Sequence, residues 1–188
     1  MNIILGSKSP RRSQLLQELG LSFNIVVPET DESYPADLSV QDVPAFIARN
    51  KALAILNETQ KDAIILTSDT IVTLDGVVYG KPANKEEAFN MIKSLSGRTH
   101  QVITGICLMK GLQIITDEAI TEVTFRDLTD EEINFYIDNY QPFDKAGSYG
   151  IQEWIGAVAI TEIKGSYNNV VGLPTHLVVQ HLKQFEEN

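Results

Sequence analysis

The chain has 188 residues, 43% of them hydrophobic and 21% charged, enough for one domain with a buried core. Acidic residues number 25 against 15 Lys and Arg, a net charge of −10. That balance argues against a groove binder of duplex DNA or RNA, which needs a basic face, and leaves room for a small phosphorylated ligand held by a few local cations.

Ile3-Ile4-Leu5 reads as a short buried strand broken at Gly6. This apolar run is too short for a signal peptide, and no other run approaches the roughly 20 residues that span a bilayer. A cytoplasmic protein with no membrane partner is therefore expected. Ser9 suits the N-cap and Pro10 the first position of a helix that carries Leu15, Leu16 and Leu19 and stops at Gly20. A chain leaving a strand and entering a helix over small residues points backbone N–H groups at one spot, at the positive end of the helix dipole. Lys8, Arg11 and Arg12 add cations there. The stretch Ser7–Arg12 is thus a candidate phosphate site, and equally a capped helix start with solvated arginines.

Phe23–Val27 reads as a second strand, ending at Pro28 and followed by an acidic, extended loop through Pro35. Asp31 and Glu32 in that loop are either solvated or, beside a phosphate, ligands for magnesium. A helix follows from about Val40 with Ser39 as cap, an apolar stripe of Phe46, Ile47, Ala54 and Ile55, and Arg49 and Lys51 in its middle. Pro44 should leave its first turn irregular. Ala63–Leu66 is apolar throughout, as a central strand would be. It runs into Thr67-Ser68-Asp69-Thr70, which sets Asp69 at the end of a strand, where ligand sites of α/β sheets fall. A carboxylate there can bind a divalent ion or accept a proton from water, or it can simply cap a turn. Ile71–Val78 reads as a hairpin turning at Asp75-Gly76, and Gly80-Lys81-Pro82 fixes the backbone around Lys81.

Asn84 and Glu87 make a capping pair for a helix ending at Ser96-Gly97. Two long strands follow, His100–Met109 and Leu112–Phe125, joined at Lys110-Gly111. Cys107 is the lone cysteine, so no internal disulfide forms, which fits a reducing compartment. Thr129 and Glu132 cap a helix through about Asn139. Residues 144–152 form a glycine-rich loop whose Gln152 can donate and accept at once, as reading a nucleobase edge requires. Ile155–Ile163 reads as a strand, 165–172 as a polar loop, and Pro174 as the start of a helix ending near Phe185. Tyr149 and Trp154 read as packing residues. The mixture predicts an α/β fold with helices around a mixed sheet. Walker A, dinucleotide-binding and Gly-x-Ser-x-Gly patterns are absent, and His100, His176 and His181 lack zinc spacing.

Taken together these segments resemble the Maf family of nucleoside triphosphate pyrophosphatases. The resemblance runs through Ser7-x-Ser9-Pro10-Arg11-Arg12, Asp31-Glu32, Lys51-Ala52, Ser68-Asp69-Thr70, Gly80-Lys81-Pro82 and Leu95-Ser96-Gly97. It continues through His100-x-Val102-x-Thr104-Gly105, the run Asp144-Lys145-Ala146-Gly147-x-Tyr149-Gly150-Ile151-Gln152, and Gly172-Leu173-Pro174. It implies one Maf-like domain over residues 1–188, elongated and two-lobed, like the inosine-triphosphate pyrophosphatase group, with a central nucleotide cleft. It implies hydrolysis of a nucleoside triphosphate to the monophosphate and pyrophosphate with Mg²⁺ or Mn²⁺, and a house-cleaning or cell-division-arrest role. Asp69 matches the proton acceptor; Ser7, Ser9, Arg11, Arg12, Lys51 and Lys81 match the phosphate-binding groups. Glu32 and Asp69 are the candidate metal ligands. Arg11, Thr70 and Gln152 match the branch that is similar to dTTP/UTP pyrophosphatases. Two departures stand out. Gly6 replaces a commoner alanine and should loosen the turn, and Glu153-Trp154-Ile155 follows Gln152 where a second glycine is commoner. A homodimer is compatible with the sequence.

Two other readings use the same parts. A non-catalytic nucleotide-binding regulator of cell division needs the basic turn but no aimed carboxylate. A nucleotidyl- or phosphoryl-transferase needs a second substrate, so turnover with water alone distinguishes it.

Overall fold

The computed structural model describes residues 1–27, 29–56 and 62–185. Pro28, read as the end of the second strand, lies outside the described residues. The elements in chain order are β1 (Ile3–Leu5), α1 (Pro10–Glu18), β2 (Phe23–Ile25), α2 (Val43–Leu56), β3 (Ile64–Leu74), β4 (Val77–Tyr79) and α3 (Lys85–Leu95). They continue as β5 (Thr99–Lys110), β6 (Gln113–Phe125), α4 (Asp130–Tyr140), α5 (Trp154–Ala159), β7 (Ile160–Lys164), α6 (Tyr167–Val171) and α7 (Thr175–Lys183). The strand order is β2-β1-β3-β5-β6-β7, with β4 paired to β3. The sheet is mixed, as expected: β1 runs parallel to β2 and β3, whereas β3/β4 and β6/β7 are antiparallel.

The chain divides into two compact units. The first comprises Met1–Thr70, Thr104–Ala119 and Gly172–Asn188, and the second Ile71–Ile103 and Ile120–Val171. In the first, Ile3 sits opposite both Phe23 and Ile64, so the short strand β1 is buried between two neighbours. Ile4 and Ile65 pack against Ala48, Ala52 and Ile55 of α2 and against Cys107 and Met109 of β5. In the second, Val72, Val102, Val123 and Phe125 pack under Ile92 of α3 and Ile133, Tyr136 and Ile137 of α4. Local caps position these helices. Asn84 accepts the Glu87 N–H at 2.9 Å, and Thr129 and Glu132 exchange both bonds of a capping box.

Four expectations change. Asp69 lies within β3, an 11-residue strand, and not at its end, because Thr67–Thr70 continues straight into the hairpin arm. The helix read from Val40 begins at Val43; Ser39 instead donates to the Asp42 carboxylate at 2.7 Å, and Pro44, which lacks an N–H, fits the first turn. Trp154–Ala159 is a helix, leaving only Ile160–Lys164 as strand: Ile155 and Ala159 are buried four residues apart, a helical spacing. The polar stretch after Gly165 contains α6, whose Asn169 is fully buried and donates to the Val102 carbonyl and the Thr121 hydroxyl.

Candidate functional site

The turn after β1 is closed by side chains more than by helix capping. Ser7 is buried, and its Oγ accepts the Ser9 N–H at 3.2 Å and an Arg12 N–H at 3.3 Å. Ser9 is the N-cap residue and Pro10 the first helical residue, but the Ser9 hydroxyl makes no capping bond. Gly6 does not loosen the turn. It donates to the Leu66 carbonyl at 2.8 Å, and a Cβ there would lie 2.5 Å from Ile55 Cδ1 and Thr67 Cγ2. The glycine is what lets the backbone pass so close to α2 and β3.

Arg12 is the hub of this region. Its Nε donates to the Gly172 carbonyl at 2.8 Å, Nη1 to the Ser68 carbonyl at 2.8 Å and to Ser7, and Nη2 to the Thr70 hydroxyl at 3.1 Å. Most of the guanidinium fork is therefore committed to protein oxygens, and the fork ties the turn to the β3 residues on both sides of Asp69. Burial pulls the Arg12 pKa below its usual value and neighbouring Arg11 adds to this, while the Asp69 and Glu32 carboxylates oppose it. Thr70 also shares a hydroxyl hydrogen bond with Thr104 at 3.0 Å. Arg11 is half-buried and Lys8 exposed.

Asp69, Glu32 and Lys51 come together. Lys51 Nζ lies 2.7 Å from Asp69 Oδ1 and 2.7 Å from Glu32 Oε1. The lysine and Asp69 are nearly buried and Glu32 is half-exposed. α2 supplies Lys51, β3 supplies Asp69 and the acidic loop supplies Glu32. Asp31 faces away into its own loop: it accepts the Ser33 N–H and hydroxyl, which hold its pKa below the ordinary carboxylate value. The two carboxylate oxygens converge on the Lys51 ammonium, so a divalent cation held by them would have to share them with that charge. Among the described residues no group of three or more His, Cys, Asp or Glu could hold a metal. Asp69 and Glu32 are the two carboxylates here that could hold a cation.

The remaining candidates belong to the second unit. Lys81 is exposed, and the Gly80 carbonyl before it accepts the Gly147 N–H at 3.0 Å, which ties this segment to the glycine-rich loop. Gly147 has φ of 67°, a left-handed conformation, and a Cβ there would meet Val72 at 2.9–3.1 Å. Gln152 is exposed between buried Ile151 and the more enclosed Glu153. Tyr149 is a packing residue, as expected: its hydroxyl shares a hydrogen bond with His100 Nε2 at 2.8 Å within an edge-on cluster with Phe125. Trp154 rests on Phe135. Sequence reasoning missed the Gly172 carbonyl as a partner of Arg12 and Thr104 as a partner of Thr70; these pairs lie 160 and 34 residues apart, and no local pattern marks such pairings.

Comparison with known proteins gives the class. A family described as "Maf-like protein" matches residues 2–185. The chain belongs to that family. It is similar to a "dTTP/UTP pyrophosphatase" of Porphyromonas gingivalis, at 47% identity over 99% of this chain and 95% of that protein. It is similar to another protein of that name from Phocaeicola vulgatus, at 51% identity over 97% of this chain and 95% of that one. Among solved structures, the Ham1 protein of Staphylococcus aureus aligns with a TM-score of 0.48 and 12% identity, over 68% of this chain and 73% of that one.

Proposed function

We propose that this chain is a nucleoside triphosphate pyrophosphatase that hydrolyses dTTP and UTP to the nucleoside monophosphate and pyrophosphate. The observation that carries the reading is the convergence of Asp69 and Glu32 on Lys51, tied through Arg12 to a strand-to-helix turn. The names of two relatives about half identical over nearly the whole chain support the substrate. Residues 1–188 act as one Maf-like domain, in a cytoplasmic setting.

In this reading the turn offers the Ser9 hydroxyl and the Arg11 guanidinium to phosphate oxygens, and Ser7 and Arg12 hold the turn in shape. Lys51 and Lys81 offset phosphate charge. Asp69 and Glu32 would hold a divalent cation, Mg²⁺ or Mn²⁺, which supplies charge neutralisation and polarises the phosphate when bound. Asp69 orients a water and accepts its proton as the water oxygen bonds to the α-phosphorus; the bond to the α–β bridging oxygen breaks, and pyrophosphate leaves with the electron pair. Thr70 and Gln152 contact the pyrimidine. Asp69→Asn keeps the side-chain shape and removes the proton acceptor, so pyrophosphate release from dTTP and UTP should fall about a hundred- to ten-thousandfold, the usual reach of general-base catalysis. In heavy-oxygen water the wild type should label the monophosphate alone. Label in pyrophosphate, or near-normal rates in Asp69→Asn, would refute the assignment. A non-catalytic regulator would release no pyrophosphate with any metal.

A further inference from the structure

The loop that carries Gln152 is clamped by a partly buried polar network that packing alone does not require. Tyr136, fully buried on α4, donates its hydroxyl to Glu153 Oε2 and accepts the Gly150 N–H at 3.0 Å. The other Glu153 oxygen, Oε1, lies 2.9 Å from Lys145 Nζ, and Lys145 also pairs with Asp144 at 2.7 Å. The Glu153 N–H returns to the Gly150 carbonyl at 3.0 Å, closing a tight turn. A Cβ at Gly150 would lie 2.9 Å from Lys145 Cε and 3.0 Å from the Glu153 carboxyl carbon, so the ion pair sits directly on the glycine. One phenol thus grips both ends of Gly150–Glu153. Ile151 fills the core, and Gln152 is the residue turned to solvent.

Burying a lysine and a phenol against a partly exposed carboxylate costs desolvation that an apolar anchor would avoid; a fully satisfied polar network gives one fixed geometry in return. Burial, then the Glu153 contact, raises the Tyr136 pKa, which keeps the phenol a donor. Fixed geometry matters to a glutamine. Its amide can turn over and serve either uracil, which offers N3–H and O4, or cytosine, which offers an amino group and N3. Selectivity then depends on how closely the loop fixes the approach of the amide.

We infer that Glu153, through Tyr136 and Lys145, is a positioning residue that sets pyrimidine selectivity by fixing the backbone of Gln152. The inference rests on the reading that Gln152 contacts the base. The test is the ratio of kcat/KM for UTP to that for CTP in Gln152→Ala, Glu153→Ala, Glu153→Gln and the double variant Gln152→Ala/Glu153→Ala. Losing one well-placed hydrogen bond is worth about tenfold. Glu153→Ala should lower the ratio by about that factor, mainly through KM for UTP. Glu153→Gln retains an oxygen for Tyr136 and should recover part of the ratio; it also carries the test if Glu153→Ala fails to fold. In the Gln152→Ala background, removing Glu153 should change the ratio no further, since the two act as a unit. If Gln152→Ala lowers the ratio and the Glu153 variants do not, or if the losses add independently, Glu153 serves the fold alone and the inference is overturned. If Gln152→Ala itself leaves the ratio unchanged, the base-contact reading fails and takes the inference with it.

Discussion

Replacing Lys51 by methionine tests the centre of the site. Methionine keeps most of the volume of the aliphatic stem and removes the charge. The lysine side chain is 11% exposed, Asp69 14% and Glu32 50%, and each ion pair is 2.7 Å long. At an effective dielectric of about 20, one such contact is worth about 6 kcal/mol of gross attraction. Desolvating the charges cancels much of this, and the half-exposed Glu32 is screened by water, so its share approaches that of a surface pair, about 0–1 kcal/mol. The Asp69 contact dominates: removing one partner of a buried pair costs about 3–5 kcal/mol. A net loss of about 3 kcal/mol follows, and a chain of this size loses about 2–4 °C of Tm per kcal/mol. Lys51→Met should therefore melt about 6–12 °C below the wild type. The two carboxylates left facing each other should take a divalent cation more readily, so millimolar Mg²⁺ or Mn²⁺ should raise the variant's Tm more than the wild type's. Scanning calorimetry with and without metal reads both. A drop below about 2 °C would mean that Lys51 behaves as a surface lysine, and an equal metal effect on both proteins would mean that Lys51 and the cation do not share oxygens.

Burial depresses the His100 pKa from 6.5 to about 4, so the folded protein keeps this ring neutral while the unfolded chain takes up a proton below 6.5. Its stabilising effect is full above pH 6.5 and lost as pH falls towards 4, on the order of 3 kcal/mol; urea titrations across that window should show the slope, and His100→Asn should flatten it. Burial pushes the Cys107 thiol up to about 12 against the opposing pull of Arg49, so the native protein should resist a thiol reagent at pH 8 and yield one reactive group per chain after denaturation. Gly6→Ala should cost about 1–3 kcal/mol in chemical denaturation, because its Cβ would lie 2.5 Å from Ile55 and Thr67 side-chain atoms; a neutral result would mean that α2 yields easily.

Elements whose signals are local were legible in the sequence. The hairpin at Asp75-Gly76 has φ of 52° and 78° at those residues, and the pairs Asn84/Glu87 and Thr129/Glu132 cap their helices as spaced. Failures occurred where a distant partner decides the outcome. A polar run such as Thr67-Ser68-Asp69-Thr70 reads as the end of a strand until its partners are known. Thr67 donates to the Ala48 carbonyl at 2.6 Å, Ser68 to the Gly172 carbonyl at 3.3 Å, and Asp69 meets Lys51, so β3 continues with its polar groups satisfied. Residues 155–159 mix β-branched and small residues, and period alone does not separate a short strand from a short helix there.

The candidate site shows the same limit from the other side. The charged residues were identifiable by type, but their division of labour was not. Arg11 and Arg12 are adjacent and chemically identical, yet the protein spends Arg12 on four hydrogen bonds spanning residues 7 to 172. A helix turns about 100° per residue, so neighbouring arginines on α1 necessarily face different surroundings. One side of the helix start meets β3 and the Gly172 carbonyl, where only a fixed fork of donors satisfies so many oxygens at once. Lysine at position 12 would keep the charge and lose the fork. The loss should therefore appear first in the alignment of Asp69, whose strand neighbours Ser68 and Thr70 are the residues that Arg12 holds.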